Sequence, residues 1–281
     1  MPLKEDIGKA YLNYYTHAPE TGEASIRSQF RRRFELVYIR SRFGYPSPSC
    51  NILARFLGFL LYHREGGSTF VKWRPGGRLL DVGCGAGGYL QSMRSLGWEV
   101  EGVEFDSVAV EAARVAGLNV RCGSLEEQAY PSSSFDVIMM QHVIEHVPDP
   151  VATLAECARI LRPGGEVVLF TPNSASLTHR VFKECWRGLE PPRHLHIFSA
   201  SSARRALKMA GFEEVAIRPQ AASSAISESI LLRRSSNESL RRPRMGRLLR
   251  EFVRVAAFLE GCLAKFNPSL ADCLAAVAIK R

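Results

Sequence analysis

The chain has 281 residues, of which 46% are apolar, and its formal net charge at pH 7 is +9. This length fits one large domain or one domain with additions, and the apolar fraction is sufficient for a full hydrophobic core. No run of about 20 apolar residues occurs, which excludes a transmembrane helix; the most apolar run, at 52–62, is short and contains Arg55. The positive charge favours an anionic partner such as nucleic acid, a membrane surface or a phosphorylated substrate.

The number and spacing of the cysteines indicate whether the protein works in an oxidising or a reducing compartment. The seven cysteines are an odd number and contain no C-x-x-C pair. This pattern argues against a zinc site and against a disulfide framework, and it fits a reducing environment. The opening residues, Met-Pro-Leu-Lys-Glu-Asp, contain no apolar signal region. We therefore expect a cytoplasmic protein.

The segment 1–75 precedes the first predicted core strand, and we predict that it forms a helical lid over the open edge of the sheet that follows. It opens with an aromatic and polar stretch that includes Tyr14, Tyr15 and His17. Apolar residues at helical spacing then predict two helices, at 25–40 and 51–63.

From residue 76 onward, predicted strands alternate with predicted helices. This alternation predicts an α/β fold of the Rossmann-like, doubly wound type, in which a mostly parallel sheet carries helices on both faces. We assign the core domain to 76–219. The predicted strands are 78–82, 99–104, 117–123, 133–140 and 166–171, and the predicted helices are 87–96, 108–116 and 150–161.

After Pro172 the regular pattern pauses in an irregular polar and aromatic region at 173–198, before a predicted helix at 199–210 and a strand at 212–218. The serine-rich stretch at 220–238 is predicted to be a loop. Apolar residues spaced between arginines predict a basic amphipathic helix at 239–266, followed by a last strand at 274–280. The segment 220–281 is thus predicted to be a helical insertion plus a last core strand.

A glycine-rich turn follows the first predicted strand. Gly83, Gly85 and Gly88 satisfy the dinucleotide fingerprint G-x-G-x-x-G, and Glu104 follows them at the spacing that this fingerprint expects. A nicotinamide or flavin enzyme is therefore one interpretation of the sequence.

Asp81 favours a different ligand. It lies two residues before Gly83, where its carboxylate would repel a pyrophosphate at the neighbouring helix N-terminus. A positively charged ligand without phosphate, such as S-adenosylmethionine with its sulfonium and ammonium groups, suits this position. The pattern Asp81-x-Gly83-x-Gly85-x-Gly87 resembles the first motif of class I S-adenosylmethionine-dependent methyltransferases, and the resemblance continues in register from residue 77 to 218.

The resemblance implies seven strands, of which the last is antiparallel and inserted between strands five and six. It also implies a cofactor site at the carboxyl ends of the strands, with Glu104 on the ribose hydroxyls. Phe105 would cover the ribose or the adenine, Ser124 and Leu125 would border the adenine, and Gln141 would face the methionine end. The implied cofactor-binding residues of the glycine turn are Asp81, Gly83, Cys84, Gly85 and Gly87.

The segment 141–150 resembles ubiquinone-type O-methyltransferases. His142 and His146 stand one helical turn apart, and Glu145 lies between them. Some proteins that this segment resembles hold a magnesium ion with Glu-x-x-Glu-His and a distant histidine, for which His194 is the candidate here. His142 replaces the first glutamate and is a poorer ligand for Mg²⁺, so we predict no metal site. We predict that His146 is a packed, hydrogen-bonded structural residue.

Methylation of a hydroxyl requires removal of its proton, and histidine is the usual group for this near neutral pH. His142 and His194 are both candidates, and a reaction without a dedicated base is the alternative. Arg193 is a candidate to hold a phosphate or carboxylate of the acceptor. These residues predict O-methylation of a small-molecule or glycan acceptor.

Two alternatives use the basic charge of the chain. One is an RNA methyltransferase, although the sequence has no RNA-binding module and we expect no nucleic-acid partner. The other is a methyltransferase-like protein at a membrane surface that contacts anionic lipid through 239–266 and acts on lipid-linked intermediates.

Overall fold

The computed structural model describes residues 26–46, 52–64, 70–220, 223–235 and 270–281, together with single positions between 253 and 267. The tyrosine-rich opening and most of the predicted basic helix at 239–266 lie outside the described residues. The positions described within that helix, such as Val253 and Glu260, are helical, and both side chains are buried.

Seven strands form one sheet in the order β3-β2-β1-β4-β5-β7-β6. Strands β1 to β5 are parallel, and β7 is antiparallel to both of its neighbours, β5 and β6. The predicted fold class and the insertion of an antiparallel last strand are therefore confirmed. The strands are β1 (Arg78–Val82), β2 (Glu99–Glu104), β3 (Val120–Cys122), β4 (Phe135–Gln141), β5 (Leu161–Pro172), β6 (Glu214–Gln220) and β7 (Cys273–Ile279).

The helices lie between the strands or precede them. In the described residues they are α1 (Ile26–Phe43), α2 (Ile52–Arg64), α3 (Gly88–Ser95), α4 (Ser107–Val115), α5 (Pro150–Ile160), α6 (Leu177–Phe182), α7 (Ala200–Met209) and α8 (Ser223–Ser235). The irregular region at 173–198 contains α6 and two short 3₁₀ helices, Lys183–Cys185 and Arg187–Leu189.

The predicted loop at 220–238 is wrong, because α8 occupies most of it. Its serines suggest a loop by composition alone. In the structure, however, Ile226 and Ser229 are buried, and the Ser229 hydroxyl accepts a hydrogen bond of 2.9 Å from the Arg187 backbone N–H. Packing on the 187–189 turn therefore outweighs the local preference of the serines.

The end of α1 belongs to the hydrophobic core. Ile39 and Tyr45 pack in one cluster with Leu79 and Trp98. The Tyr45 hydroxyl accepts a hydrogen bond of 3.0 Å from the Trp98 indole N–H and donates one of 2.8 Å to the Val71 carbonyl. This part of the N-terminal segment therefore supports the sheet. The proposed domain boundaries and the role of the segment as a lid stay predictions.

Within the described residues, no helix is both long enough and apolar enough to cross a lipid bilayer. The expected cytoplasmic location stays a prediction.

Candidate functional site

The glycine turn after β1 requires glycine for steric reasons. Gly83, Gly85 and Gly87 have φ angles of 73°, 53° and 83°. A Cβ atom on Gly83 would lie 2.4 Å from a methyl carbon of Val143 in the turn after β4. By contrast, a Cβ on Gly88 would meet no atom within 4 Å. The third glycine of the dinucleotide fingerprint is therefore not needed for close packing here, which disfavours a dinucleotide site.

The Glu104 carboxylate is held against this turn by backbone groups. One oxygen accepts a hydrogen bond of 2.8 Å from the Gly85 N–H, and the other accepts one of 2.9 Å from the Asp106 N–H. A carboxylate oxygen has two lone pairs, so each oxygen retains the capacity to accept a second hydrogen bond. Glu104 is thus positioned to accept hydrogen bonds from two adjacent hydroxyls.

Asp81 lies in the middle of the sheet and is buried. Burial, and then the charge of Glu104, raise its pKa well above the usual range of a carboxyl group. Two neighbouring acids with one of them desolvated favour a cation at this place. Burial also raises the pKa of the Cys84 thiol, further aided by the charges of Asp81 and Glu104. Cys84 is therefore a neutral packing residue of the turn.

The predicted adenine contacts lie at the same edge of the sheet. Gly123 donates a backbone hydrogen bond of 3.0 Å to the Glu104 carbonyl, which places the residue after it, Ser124, beside β2. The Ser124 N–H donates to the Glu127 carboxylate at 2.8 Å, and the Leu125 side chain is buried in the core. Phe105 is 64% exposed. Of these side chains, the Phe105 ring is the one that is open to a ligand.

These residues fit S-adenosylmethionine. The glycine turn offers backbone close to a ligand, Glu104 offers acceptors for ribose hydroxyls, and Asp81 favours a positive charge. A pyrophosphate would instead face the Glu104 carboxylate, which repels it. The structure thus brings the predicted residues of the glycine turn together with Glu104, while their individual contacts with the cofactor stay predictions.

On the other side of the turn, His142 follows the last residue of β4, Gln141. His142 has a φ angle of 55°, its side chain is 55% exposed, and its Nδ1 lies 3.3 Å from the Glu145 carboxylate. Desolvation lowers the pKa of His142, but the hydrogen bond to Glu145 and the charge of Glu145 outweigh it, so the pKa is raised. A non-glycine residue with positive φ is strained, and such residues concentrate at functional sites.

Glu145 lies between His142 and the segment that contains His194. Its side chain is buried, and its backbone carbonyl accepts hydrogen bonds from the N–H groups of Leu195 and His196, at 2.8 and 3.1 Å. Burial raises the pKa of Glu145, but the hydrogen bond and charge of His142, together with the charge of His146, lower it below its usual value. Glu145 is therefore an ionised carboxylate inside the protein.

His194 lies on the far side of Glu145. Only 6% of its side chain is exposed, and its ring packs edge-on against His146 with centroids 4.7 Å apart. Its Nδ1 donates a hydrogen bond of 2.6 Å to the Gly188 carbonyl. Burial lowers the pKa of His194. Of the two predicted bases, His142 is the exposed one, and the role of each as a base stays a prediction.

Arg193 pairs inside the protein. Its guanidinium donates to the Glu190 carboxylate at 2.7 Å, and its carbonyl accepts a hydrogen bond from His146 Nδ1 at 3.1 Å. Glu190 also pairs with Arg187. These contacts hold the 187–196 segment together, so an acceptor anion would compete with Glu190 for Arg193.

Sequence reasoning missed a buried polar network beneath this segment. The Asp272 carboxylate accepts hydrogen bonds from the Trp186 indole N–H, at 2.8 Å, and from the Thr178 hydroxyl. The Asn173 side-chain amide donates to the Ala271 carbonyl at 2.7 Å. The charge of Asp272 also contributes to the raised pKa of His142. The partners lie more than 80 residues apart in the chain, so no local pattern reveals them.

Comparison with known proteins agrees with this geometry. A family model described as a methyltransferase domain matches residues 53–217, more than half of the chain. A ubiquinone biosynthesis O-methyltransferase from Xanthomonas oryzae pv. oryzae is 41% identical over 105 residues, which are 35% of this chain and 44% of that protein. The Hahella chejuensis protein of the same name is 39% identical over 106 residues, with the same coverage. The chain spans less than half the length of these curated relatives.

Solved structures show the same fold. The crystal structure of a SAM-dependent methyltransferase from Archaeoglobus fulgidus has a TM-score of 0.50 and 20% identity, and the match covers 91% of this chain and 100% of that one. A structure from Thermotoga maritima, described as a SAM-dependent methyltransferase and possible histamine N-methyltransferase, has a TM-score of 0.50 and 21% identity, covering 74% and 84%.

Proposed function

We propose that this chain, which belongs to the class I S-adenosylmethionine-dependent methyltransferases, methylates a hydroxyl group of a small molecule or of a sugar. S-adenosylmethionine supplies the electrophilic methyl group when it is bound. The relatives of highest identity named above are O-methyltransferases, which supports an oxygen acceptor. These relatives match only 35% of this chain, so the acceptor pocket is inferred from the chain's own residues.

The cofactor half of the site binds and orients the methyl donor. The backbone N–H groups of Gly85, in the glycine turn, and of Asp106 hold the Glu104 carboxylate, and Glu104 in turn accepts hydrogen bonds from the ribose hydroxyls. The buried Asp81 side chain lies near the end of β1, which leads into the same turn, and can accept a hydrogen bond from the ammonium group of the cofactor. Because methyl transfer is an in-line displacement, holding donor and acceptor in register supplies much of the rate acceleration.

His142 is the residue that we propose as the base. The observation that carries this proposal is its position: an exposed imidazole at the end of β4, whose neighbour Val143 packs on Gly83 of the cofactor turn. The Nδ1–H donates to Glu145, so Nε2 holds a lone pair that can take the acceptor proton. The buried carboxylate orients the ring and stabilises the charge that the ring gains.

Calorimetry tests the cofactor site first. We expect wild type to bind S-adenosylmethionine and S-adenosylhomocysteine, and Glu104→Ala to bind both at least about ten-fold more weakly, because a charge-assisted hydrogen bond contributes about 1.5–3 kcal/mol. Glu99→Ala is the matched control, since Glu99 is an exposed acid at the other end of the same strand. Absence of binding by wild type, or equal binding by Glu104→Ala, contradicts the proposed site.

A transfer assay then tests the acceptor class. Phenols, catechols and sugars are incubated with the full chain and the labelled cofactor. His142→Asn is expected to lower kcat by roughly 100-fold, the usual contribution of a general base, without changing cofactor affinity. His179→Asn serves as the control, since His179 contacts neither His142 nor Glu145 in the hydrogen bonds described above. Its Nδ1 is hydrogen-bonded to the Ser174 carbonyl. Methylation of amines alone contradicts the oxygen acceptor.

A further inference from the structure

We propose that the exposed apolar side of α2 docks on the surface of an anionic lipid bilayer. This inference is independent of the methyl acceptor proposed above, because it uses no residue of the cofactor site or of the acceptor site. It also uses a surface other than the predicted basic helix at 239–266, most of which lies outside the described residues.

One side of α2 is occupied by α1. Gly58 lies where the two helices meet, and a Cβ atom there would lie 2.1 Å from the Phe34 carbonyl oxygen and 2.8 Å from the Tyr38 Cβ. The Tyr38 and Phe59 rings add an edge-to-face contact, with centroids 5.6 Å apart. The absence of a side chain at Gly58 thus allows α2 to pack directly on α1.

The side of α2 that faces away from Gly58 is apolar and exposed. An α-helix has 3.6 residues per turn, so positions 52, 56 and 60 lie along one stripe. Ile52 is 82% exposed, Phe56 is 56% exposed and Leu60 is 48% exposed. Together with Leu57, these residues form what we call the apolar face of α2.

Such a face is unusual for a helix at the surface of a globular protein, because the outward side normally carries polar or charged residues. In 52–61 the sequence has a single polar residue, Arg55. Contiguous exposed apolar side chains mark sites of contact with proteins or membranes. With 13 residues, α2 is shorter than the roughly 20 that cross a bilayer, so its apolar face can only lie along the surface of one.

The charge of α1 and α2 identifies the kind of partner. The sequence of α1 has six arginines and one glutamate, and that of α2 has two arginines and no acid. The side chains of Arg33, Arg42 and Arg55 are exposed. The glutamate, Glu35, is half-buried. A surface that joins exposed apolar side chains to arginines complements both the acyl chains and the anionic headgroups of a bilayer.

Two other partners fit this surface less well. A second copy of the chain would bring the arginines of both copies together, and like charges repel. A nucleic acid would contact the arginines, but proteins bind its bases by aromatic stacking and hydrogen bonds, which the aliphatic Ile52 and Leu60 cannot provide.

α1 connects the apolar face to the sheet. α2 packs on the middle of α1, and Ile39 near the end of α1 belongs to the same core cluster as Leu79 of β1. A chain docked through α2 would therefore hold its sheet, and the site at the carboxyl ends of the strands, close to the bilayer surface.

Vesicle flotation of the full chain tests the proposal. We expect wild type to float with phosphatidylcholine vesicles that contain phosphatidylserine, and to float less with pure phosphatidylcholine or at high salt. The double variant Phe56→Gln with Leu60→Gln is expected to bind the anionic vesicles at least about ten-fold more weakly, because it removes apolar area from the contact.

The matched control replaces exposed apolar residues elsewhere. Val115 at the end of α4 and Met209 at the end of α7 are both exposed, so Val115→Gln with Met209→Gln is expected to bind like wild type. Arg55→Gln is expected to weaken binding about five-fold, the contribution of one arginine near an anionic surface. Arg204→Gln, an exposed arginine of α7, is its control.

Four results overturn the proposal. They are absence of wild-type binding to the anionic vesicles, equal binding by wild type and the Phe56→Gln, Leu60→Gln variant, equal loss in the α4 and α7 control, and equal binding to neutral and anionic vesicles. A wild-type dimer in solution that the α2 variant converts to a monomer would assign the face to a second copy instead. Binding of S-adenosylhomocysteine by each variant verifies that it is folded, and it separates a failure of this proposal from a failure of the proposed function.

Discussion

The two halves of the site are built in different ways. The half that we propose for the cofactor is held by backbone groups. The N–H groups of Gly85 and Asp106, 21 residues apart in the chain, hold the Glu104 carboxylate at the end of β2 against the glycine turn. The half that we propose for the acceptor uses side chains from distant segments, namely the turn after β4, the 187–196 segment and Asp272, the residue before β7. Backbone geometry can be recognised from local sequence, whereas side-chain networks depend on the packed fold.

Because the cofactor half depends on backbone geometry, a single methyl group added to the glycine turn is expected to impair both folding stability and cofactor binding. Gly83→Ala places a Cβ 2.4 Å from Val143 at a φ of 73°, so it is expected to lower the free energy of unfolding by about 3 kcal/mol and to abolish cofactor binding. Urea unfolding and calorimetry measure both effects.

Gly88→Ala is the matched control. A Cβ there meets nothing within 4 Å, and alanine is the better helix former, so stability is expected to be unchanged or to rise by up to about 0.5 kcal/mol. Equal damage by both substitutions would mean that the turn does not have the steric role described above.

In the half that we propose for the acceptor, substitutions in the buried polar network around Asp272 are expected to lower the free energy of unfolding. Asp272→Ala leaves the indole N–H of Trp186 and the hydroxyl of Thr178 without their acceptor, at a cost of about 2 kcal/mol. Asp272→Asn retains a carbonyl oxygen and is expected to recover part of this stability. Thermal unfolding compares the two variants, with Glu213→Ala, an exposed acid that pairs with Arg281, as the neutral control. If Asn and Ala are equally destabilising, the acceptor role of Asp272 is contradicted.

The smallest expected effect concerns pH. Burial, and then the charge of Asp272, raise the pKa of Glu260 to about 8. The folded state therefore binds a proton more tightly than the unfolded state, so the stability from this group is present at low pH and is lost as pH rises toward 8. Between pH 7 and 8 the loss is expected to be about 1 kcal/mol.

Urea unfolding of wild type and Glu260→Gln at both pH values checks this prediction. The variant removes the titrating group and keeps its shape, so its stability is expected to change less with pH than that of wild type. Asp272 and the thiol of Cys273 lie close to Glu260 and are present in both proteins. Identical pH dependence of the two proteins would exclude Glu260 as the source.

The sequence by itself determined the first strands, the glycine turn and the cofactor class. The strands β1 and β2 have the predicted bounds, because turn and capping residues delimit them. Gly77 and Gly83 flank β1, Gly97 precedes β2 and the helix cap Asp106 follows it. Asp81 indicated a positively charged ligand without phosphate, because a carboxylate two residues before Gly83 would repel a pyrophosphate at the neighbouring helix N-terminus. The resemblance of these motifs to a known family supplied the strand order.

Only the tertiary structure decided the rest. It placed α8 where serine content indicated a loop, because burial of Ile226 and Ser229 outweighs local preference. It brought Glu145 and His194 together across 49 residues of chain, and Asp272 to Trp186 across 86. Contacts between residues so far apart have no local signal, because their energy depends on how the elements between them pack.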